Sequence, residues 1–302
     1  MSVTVPWTFV RHQAPNILGM FGAGIRSALP RLGGGEVETP SAPVTRRMGP
    51  FSPALIEAYA DWAGAPPDRY DRVLPPHFFS YWGLGLVSEL TGRAPYNLLS
   101  AVNQGCRMAT RTLLPADEPI QVRGRLTDVS DDGRRIRIAS QLEAGTRSTP
   151  RAQDIEVVAA VPRRQPGPRR ADRPRDPEPA FDTVGHWSAA ASDGLNFALL
   201  TGDFNPLHTL TPVGRRTRYR SCILHGFGIL ARTYETIRNA GIDIAEFEVR
   251  YVKPVPLPSA DLAVQVAREP DADGRRAIRL RGADDTLHLA GHLNDALAGA
   301  NA

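Results

Sequence analysis

Residues 226–252 read GFGILARTYETIRNAGIDIAEFEVRYV. Two periodicities meet in this stretch. Gly226–Asn239 reads as a helix. Over 245–252, Phe247, Val249 and Tyr251 alternate with Glu248 and Arg250, the period-two pattern of a strand with one buried face. Three further strand-like runs follow at 261–267, 276–282 and 286–293. They are separated by Pro254, Pro256 and Pro258, by the turn residues 270–274, and by 282–285. Upstream, 195–201 carries an apolar helical pattern. Helix and strand are segregated along the chain, which predicts the α+β class.

The N-terminal half gives the same order. The pattern predicts a helix over 52–62 and a longer one over 78–90. Strands are then expected at 97–108, 120–129, 135–143 and 154–161, with Asp131-Asp132-Gly133 turning the chain between two of them. Local identities align the halves. Tyr59-Ala60 and Gly64 correspond to Phe197-Ala198 and Gly202, and Pro76-His77-Phe78-Phe79 corresponds to Leu224-His225-Gly226-Phe227. A long central helix wrapped by an antiparallel sheet, given twice, is a double hot-dog arrangement, and the long period marks a fused duplicate, not a solenoid.

Between the halves, Pro162, Pro166, Pro168, Pro174, Pro177 and Pro179 are interleaved with arginines. Proline at this density sustains neither a helix nor a central strand. The expected organisation is therefore an N-terminal repeat over 1–161, a Pro/Arg-rich linker over 162–180 and a C-terminal repeat over 181–302. The 302 residues suit two domains, and a net charge of +4 excludes nucleic-acid binding by charge alone. Cys106 and Cys222 form no C-x-x-C pair, so a reducing, cytoplasmic setting is expected. His186, His288 and His292 have no metal-ligand spacing, and no metal is expected. No apolar run is long enough to span a membrane, and 13–25 is expected as a helix covering the body of the protein.

The densest motif is Phe197-Ala198-Leu199-Leu200-Thr201-Gly202-Asp203-Phe204-Asn205-Pro206-Leu207-His208, followed by Ile223-Leu224-His225-Gly226-Phe227. Pro206 is expected to stop the preceding helix, and the resulting turn can bring an acid and an imidazole to one water. Gly-Asp-x-Asn-Pro is also good turn chemistry by itself. The two segments resemble the signature of the MaoC-like, type-2 (R)-specific enoyl-CoA hydratases. The resemblance implies a hydro-lyase acting on acyl thioesters without a cofactor. It implies Asp203 and His208 as the acid–base pair and the Gly226 amide as holder of the thioester oxygen. Asn205 and His225 would serve substrate binding, Asn205 by fixing the loop or the water and His225 by shaping the helix start.

This chain also departs from the signature. Leu210-Thr211 stands where the family continues with Asp-Pro, and Cys222 stands where proline is usual. Arg215, Arg216, Arg218 and Arg220 make the intervening loop basic, with Arg216 and Arg218 expected to attract the phosphates of coenzyme A or an acidic acyl carrier protein. The first repeat has Ala65 in place of the aspartate and lacks the Asn-Pro-x-His loop, so one catalytic site per chain is expected. Three readings stay open: hydration of enoyl-CoA, dehydration of carrier-bound chains, and a silent acyl-thioester binding protein. The duplication makes one chain self-sufficient as a pseudo-dimer and leaves a homodimer open.

Overall fold

The computed structural model describes residues 4–14, 16–20, 22, 37–94, 96, 101–163 and 178–295. Ten strands form one antiparallel sheet: β1 (Val44–Met48), β2 (Val102–Thr110), β3 (Ile120–Asp131), β4 (Arg135–Gly145), β5 (Gln153–Pro162), β6 (Phe181–Ala189), β7 (Glu246–Tyr251), β8 (Ser259–Ala267), β9 (Arg276–Arg281) and β10 (Leu287–Asn294). Their spatial order is β1-β3-β4-β5-β2-β7-β10-β9-β8-β6. The order within each half is the same, reversed about the β2–β7 pair, where Cys106 lies opposite Val249 and Met108 opposite Phe247. The duplication seen in the residues is thus a duplication of topology.

Among the described residues, α-helical segments that accompany the sheet include α1 (Pro53–Ala63), α2 (Phe79–Trp82), α3 (Leu84–Thr91), α4 (Asp193–Thr201), α5 (Pro206–Thr209), α6 (Thr211–Gly214) and α7 (Gly226–Asn239). The corresponding helices α1 and α4 stop by the same device. Each ends at a glycine in the left-handed region, Gly64 at φ 95° and Gly202 at φ 86°, a conformation that a side chain disfavours. Helix α7 buries Phe227, Ile229, Leu230, Tyr234 and Ile237 among the described core residues.

The halves share one apolar core, in which Tyr59, Trp62, Phe78, Phe79, Phe197 and Phe247 are fully buried. Burying rings of this size stabilises by about 1.5–3 kcal/mol each. A charged knot lies inside it. Arg232 of α7 donates to Asp193 Oδ2 at 2.8 Å and lies 4.1 Å over the Trp62 ring, while Trp62 Nε1 donates to Asp193 Oδ1 at 3.1 Å. It joins α1, α4 and α7 at their meeting point.

The segment over 78–90 is not one long helix. A 3₁₀ turn (Pro76–Phe78) runs into α2, and the helix is interrupted at Gly83 before α3. A side chain at Gly83 would come within 2.8 Å of the Phe79 carbonyl oxygen. Each half has five strands, where four were expected. The additional β1 and β6 are edge strands in which Ala189 is the one buried residue, so neither has a strong apolar alternation to read. The strand expected from 97 begins at Val102, residues 97–100 lying outside the described residues. So do 164–177 of the expected linker. The described part of 14–22 is helical and covers α4: Gln13 donates to the Leu199 carbonyl and Asn16 to those of Thr201 and Tyr81. No helix among the described residues is long and apolar enough to cross a membrane.

Candidate active site

Gly202 ends α4 and releases the chain into Asp203. A Cβ at Gly202 would meet Asn16 at 2.8 Å, so both conformation and space require glycine there. Asn205 then caps α5, its Oδ1 accepting from the Leu207 amide at 3.0 Å, with Pro206 in the first helical position. Pro206 was expected to stop the preceding helix; α4 has already ended at Gly202, and the proline instead begins α5, where its missing N–H is no loss in a first turn. The short helix turns His208 inward. Its Nδ1 donates to the Ile223 carbonyl at 2.8 Å. A carbonyl can only accept, so the proton sits on Nδ1 and the neutral ring keeps a free lone pair on Nε2.

His225 immediately precedes α7 and is buried. Its Nε2 donates to the backbone oxygen of Asp203 at 2.8 Å, while the nearer carboxylate oxygen is 3.9 Å away. The His208 and His225 rings lie face to face, with centroids 3.9 Å apart and planes 31° apart. Asp203, His208 and His225 each offer a ligand atom within 4.8 Å of the others. That spacing suits one water or one cation between them.

Burial and charge set the protonation of the group. Burial raises the Asp203 carboxyl above the usual carboxylate range, opposed by the nearby charge of His208 and by the Asn205 amide. Burial also pushes His225 well below the ordinary histidine value, the charge of His208 adds to this, and the bond to Asp203 opposes it. His225 is therefore neutral near pH 7 and acts as a pin, not as an acid.

Gly226 is the first residue of α7, and the helix start has no side-chain cap. Its amide is thus one of the unsatisfied donors at the positive end of the helix. Space requires glycine here: a Cβ would lie 2.8 Å from Cε2 and 2.9 Å from Cζ of Tyr251. Tyr251 is a residue that sequence reasoning missed as part of the site. It stood in view as the last member of the β7 alternation, which marks its face and not its neighbour.

The structure brings Asp203, His208, His225 and Gly226 together, with Asn205 building the loop. It does not bring Arg216 or Arg218 into hydrogen bonding or ion pairing with them. All four loop arginines are exposed and form no ion pair among the described residues. Arg218 lies over the Tyr219 ring, 4.8 Å from its centroid. Together with Val252, Lys253 and His288 these two line a groove of about 660 Å³. The loop base is tied to the site, because Ile223 follows it and holds His208.

The first repeat has the same scaffold with other contents. Tyr59 stacks on His77 at 5.4 Å, as Phe197 packs on His225 at 5.0 Å. His77 is fully buried, with Nε2 2.7 Å from Glu235 Oε1 on α7. Glu235 also accepts from Tyr70 and Arg69, at 2.5 and 2.7 Å. Burial raises this carboxyl, but the bonds from His77, Tyr70 and Arg69 outweigh it and hold the group below its ordinary range. The place that holds Asp203, His208 and His225 in the second repeat is a buried ion-pair anchor in the first.

Residues 169–286 match the MaoC-like domain. No curated protein matches the chain in sequence. Among solved structures, HtdX of Mycobacterium tuberculosis is similar at a TM-score of 0.65 and 21% identity, over 84% of this chain and 99% of that one. The full-length peroxisomal multifunctional enzyme type 2 of Drosophila melanogaster gives a TM-score of 0.63 and 17% identity, over 83% of this chain and 48% of its own. A MaoC-like dehydratase of Phytophthora capsici gives 0.61 and 12%, over 86% and 97%. The fold is an α+β double hot-dog, and its C-terminal half is the part that matches the MaoC-like domain.

Proposed function

We propose that this MaoC-like domain adds water across the double bond of a trans-2-enoyl-CoA to give the (R)-3-hydroxyacyl-CoA, or runs the reverse dehydration. The observation that carries the reading is the meeting of Asp203 and His208 beside the uncapped start of α7. In hydration a water lies between the Asp203 carboxylate and His208 Nε2. Its oxygen bonds to C3 as one of its protons passes to the pair. The C2–C3 π electrons move to C1–C2, and those of the carbonyl move onto the thioester oxygen. That oxygen accepts from the Gly226 amide. Collapse of the enolate then draws a proton from the pair onto C2, so the hydroxyl ends on C3 and the pair returns to its starting state. Asp203 and His208 titrate as a unit, and which of them takes the proton is a property of the pair.

Each proton-transfer group is worth about 10²–10⁴ in rate, and one oxyanion donor about 10²–10³. Asn205 serves by holding the turn, His225 by holding Asp203. Arg216 and Arg218 serve capture of the charged carrier. Two buried free cysteines fit a reducing compartment such as the cytoplasm.

Turnover of trans-2-enoyl-CoA thioesters tests the reading. Asp203→Asn and His208→Gln should each lower kcat at least about a hundredfold with the fold intact by circular dichroism. Near-normal rates in both variants would remove the chemistry from these residues.

A further inference from the structure

At the start of α7, besides the Gly226 amide, two buried side-chain atoms have no hydrogen-bond partner among the described residues: Tyr251 Oη and His225 Nδ1. Buried polar atoms are paired as a rule, and an unpaired one calls for a ligand or a function. Tyr251 ends β7, inward-facing after Phe247 and Val249, and its ring lies against Gly226 where a side chain would otherwise be. The Tyr251 Cζ sits 2.9 Å from the Cβ position of Gly226. The hydroxyl is one bond beyond Cζ, and the amide nitrogen one bond from the Gly226 Cα. Both donors therefore border the same small volume.

Resting on the hydratase reading, we propose that Tyr251 is a further catalytic residue: its hydroxyl is the second donor, beside the Gly226 amide, to the thioester oxygen as it becomes negative. A phenol suits the task. Burial, with Cys106 and Tyr59 nearby, raises its pKa well above the ordinary tyrosine value, so it stays a donor throughout the working range. No protein hydrogen bond among the described residues must break for the hydroxyl to make the new one. A rigid donor aimed at developing charge is the kind that lowers a barrier most. The arrangement also explains Gly226 twice over. Any side chain there would displace the ring and, with it, the second donor.

Tyr251→Phe keeps the ring and removes only the hydroxyl. The expected result is unchanged or slightly raised thermal stability, kcat lower by about 10–10³-fold, and KM within about threefold of the wild type. A second readout does not depend on turnover. With a saturated acyl-CoA labelled with ¹³C at the thioester carbonyl, isotope-edited infrared spectra should show the bound carbonyl band at higher wavenumber in Tyr251→Phe than in the wild type, because one hydrogen bond is gone. A wild-type kcat with an unshifted band would overturn the proposal while leaving the hydratase reading standing. A wild-type protein without turnover sinks the hydratase reading, yet the band still decides whether Tyr251 touches the carbonyl. Absence of acyl-CoA binding altogether would overturn both.

Discussion

His225 holds Asp203 by its backbone, not by its carboxylate. The bond runs to the peptide oxygen, and the carboxylate is left out of it, within 4.8 Å of a His208 ligand atom. A neutral, buried imidazole suits this, since a charged one would form the ion pair and remove the base. Asp203 bears the electrostatic cost. Its folded pKa is raised above the unfolded value, so its favourable contribution to stability exists below the unfolded pKa and is lost as pH rises through the folded one. At pH 7 the ionised carboxyl therefore weakens the fold. Asp203→Asn, which keeps an acceptor for the Asn205 amide, should raise the stability at pH 7 by about 0.5–2 kcal/mol while losing activity. The gain should fade toward pH 3, where the wild-type carboxyl is protonated as well. Urea unfolding at the two pH values measures it, and an Asn variant weaker than wild type at pH 7 would contradict the electrostatic account.

At the scale of elements, the catalytic loop is assembled from short pieces, each with its own local cause. Gly202 ends α4, Asn205 and Pro206 open α5, and α6 leads into the basic loop. The loop folds tightly: a Cβ at Gly214 would lie 2.4 Å from the Cys222 amide nitrogen. Its arginines consequently project from a closed base whose far end, Ile223, orients His208. Capture and chemistry are separable in this design. Charge reversal at Arg216 and Arg218 should raise KM for a CoA thioester several-fold, change kcat little, and weaken the salt dependence of kcat/KM. A thioester that keeps the pantetheine arm but lacks the nucleotide should not feel the change if the arginines read phosphate. Equal KM values for the reversed and native loops with both CoA-linked and carrier-linked substrates would reduce them to solvated surface.

The whole molecule is one sheet with two unlike halves. In the C-terminal half the start of α7 has no side-chain cap and His208 packs on His225. In the other, His77 occupies the place corresponding to His225 and is closed by Glu235 from α7 itself. The degenerate site thereby anchors α7, and breaking such a buried pair by removing one partner typically costs about 3–5 kcal/mol. No aspartate equivalent follows Gly64, and His77 is fully buried with its ring nitrogens at Tyr59 and Glu235. Calorimetric titration with a non-reactive acyl-CoA analogue should therefore saturate at one molecule per chain. Two equivalent sites would mean that the first repeat binds as the second does.

Much of this was legible in the residues. The turn from Gly202 to His208 is local chemistry, and its capping and helix-breaking residues are read directly from their order. The β7 alternation and the span of α7 follow from which face is buried, which period alone reveals. The matching pairs Tyr59 with His77 and Phe197 with His225 revealed the duplication. The remainder depended on packing. β1 and β6 are exposed edges and leave little pattern to detect. The helix after His77 is interrupted at Gly83, where a Cβ would crowd the Phe79 carbonyl oxygen and only glycine fits. Glu235 meets His77 from 158 positions away, and Tyr251 lies on Gly226 only because β7 passes beneath the start of α7. Sequence by itself determined the turns, the buried faces and the order of Asp203, Asn205 and His208 in one short loop, because those depend on neighbours along the chain. The tertiary structure alone decided that His225 meets His208 while His77 meets Glu235, and that Tyr251 lies on Gly226, because those depend on neighbours across the core.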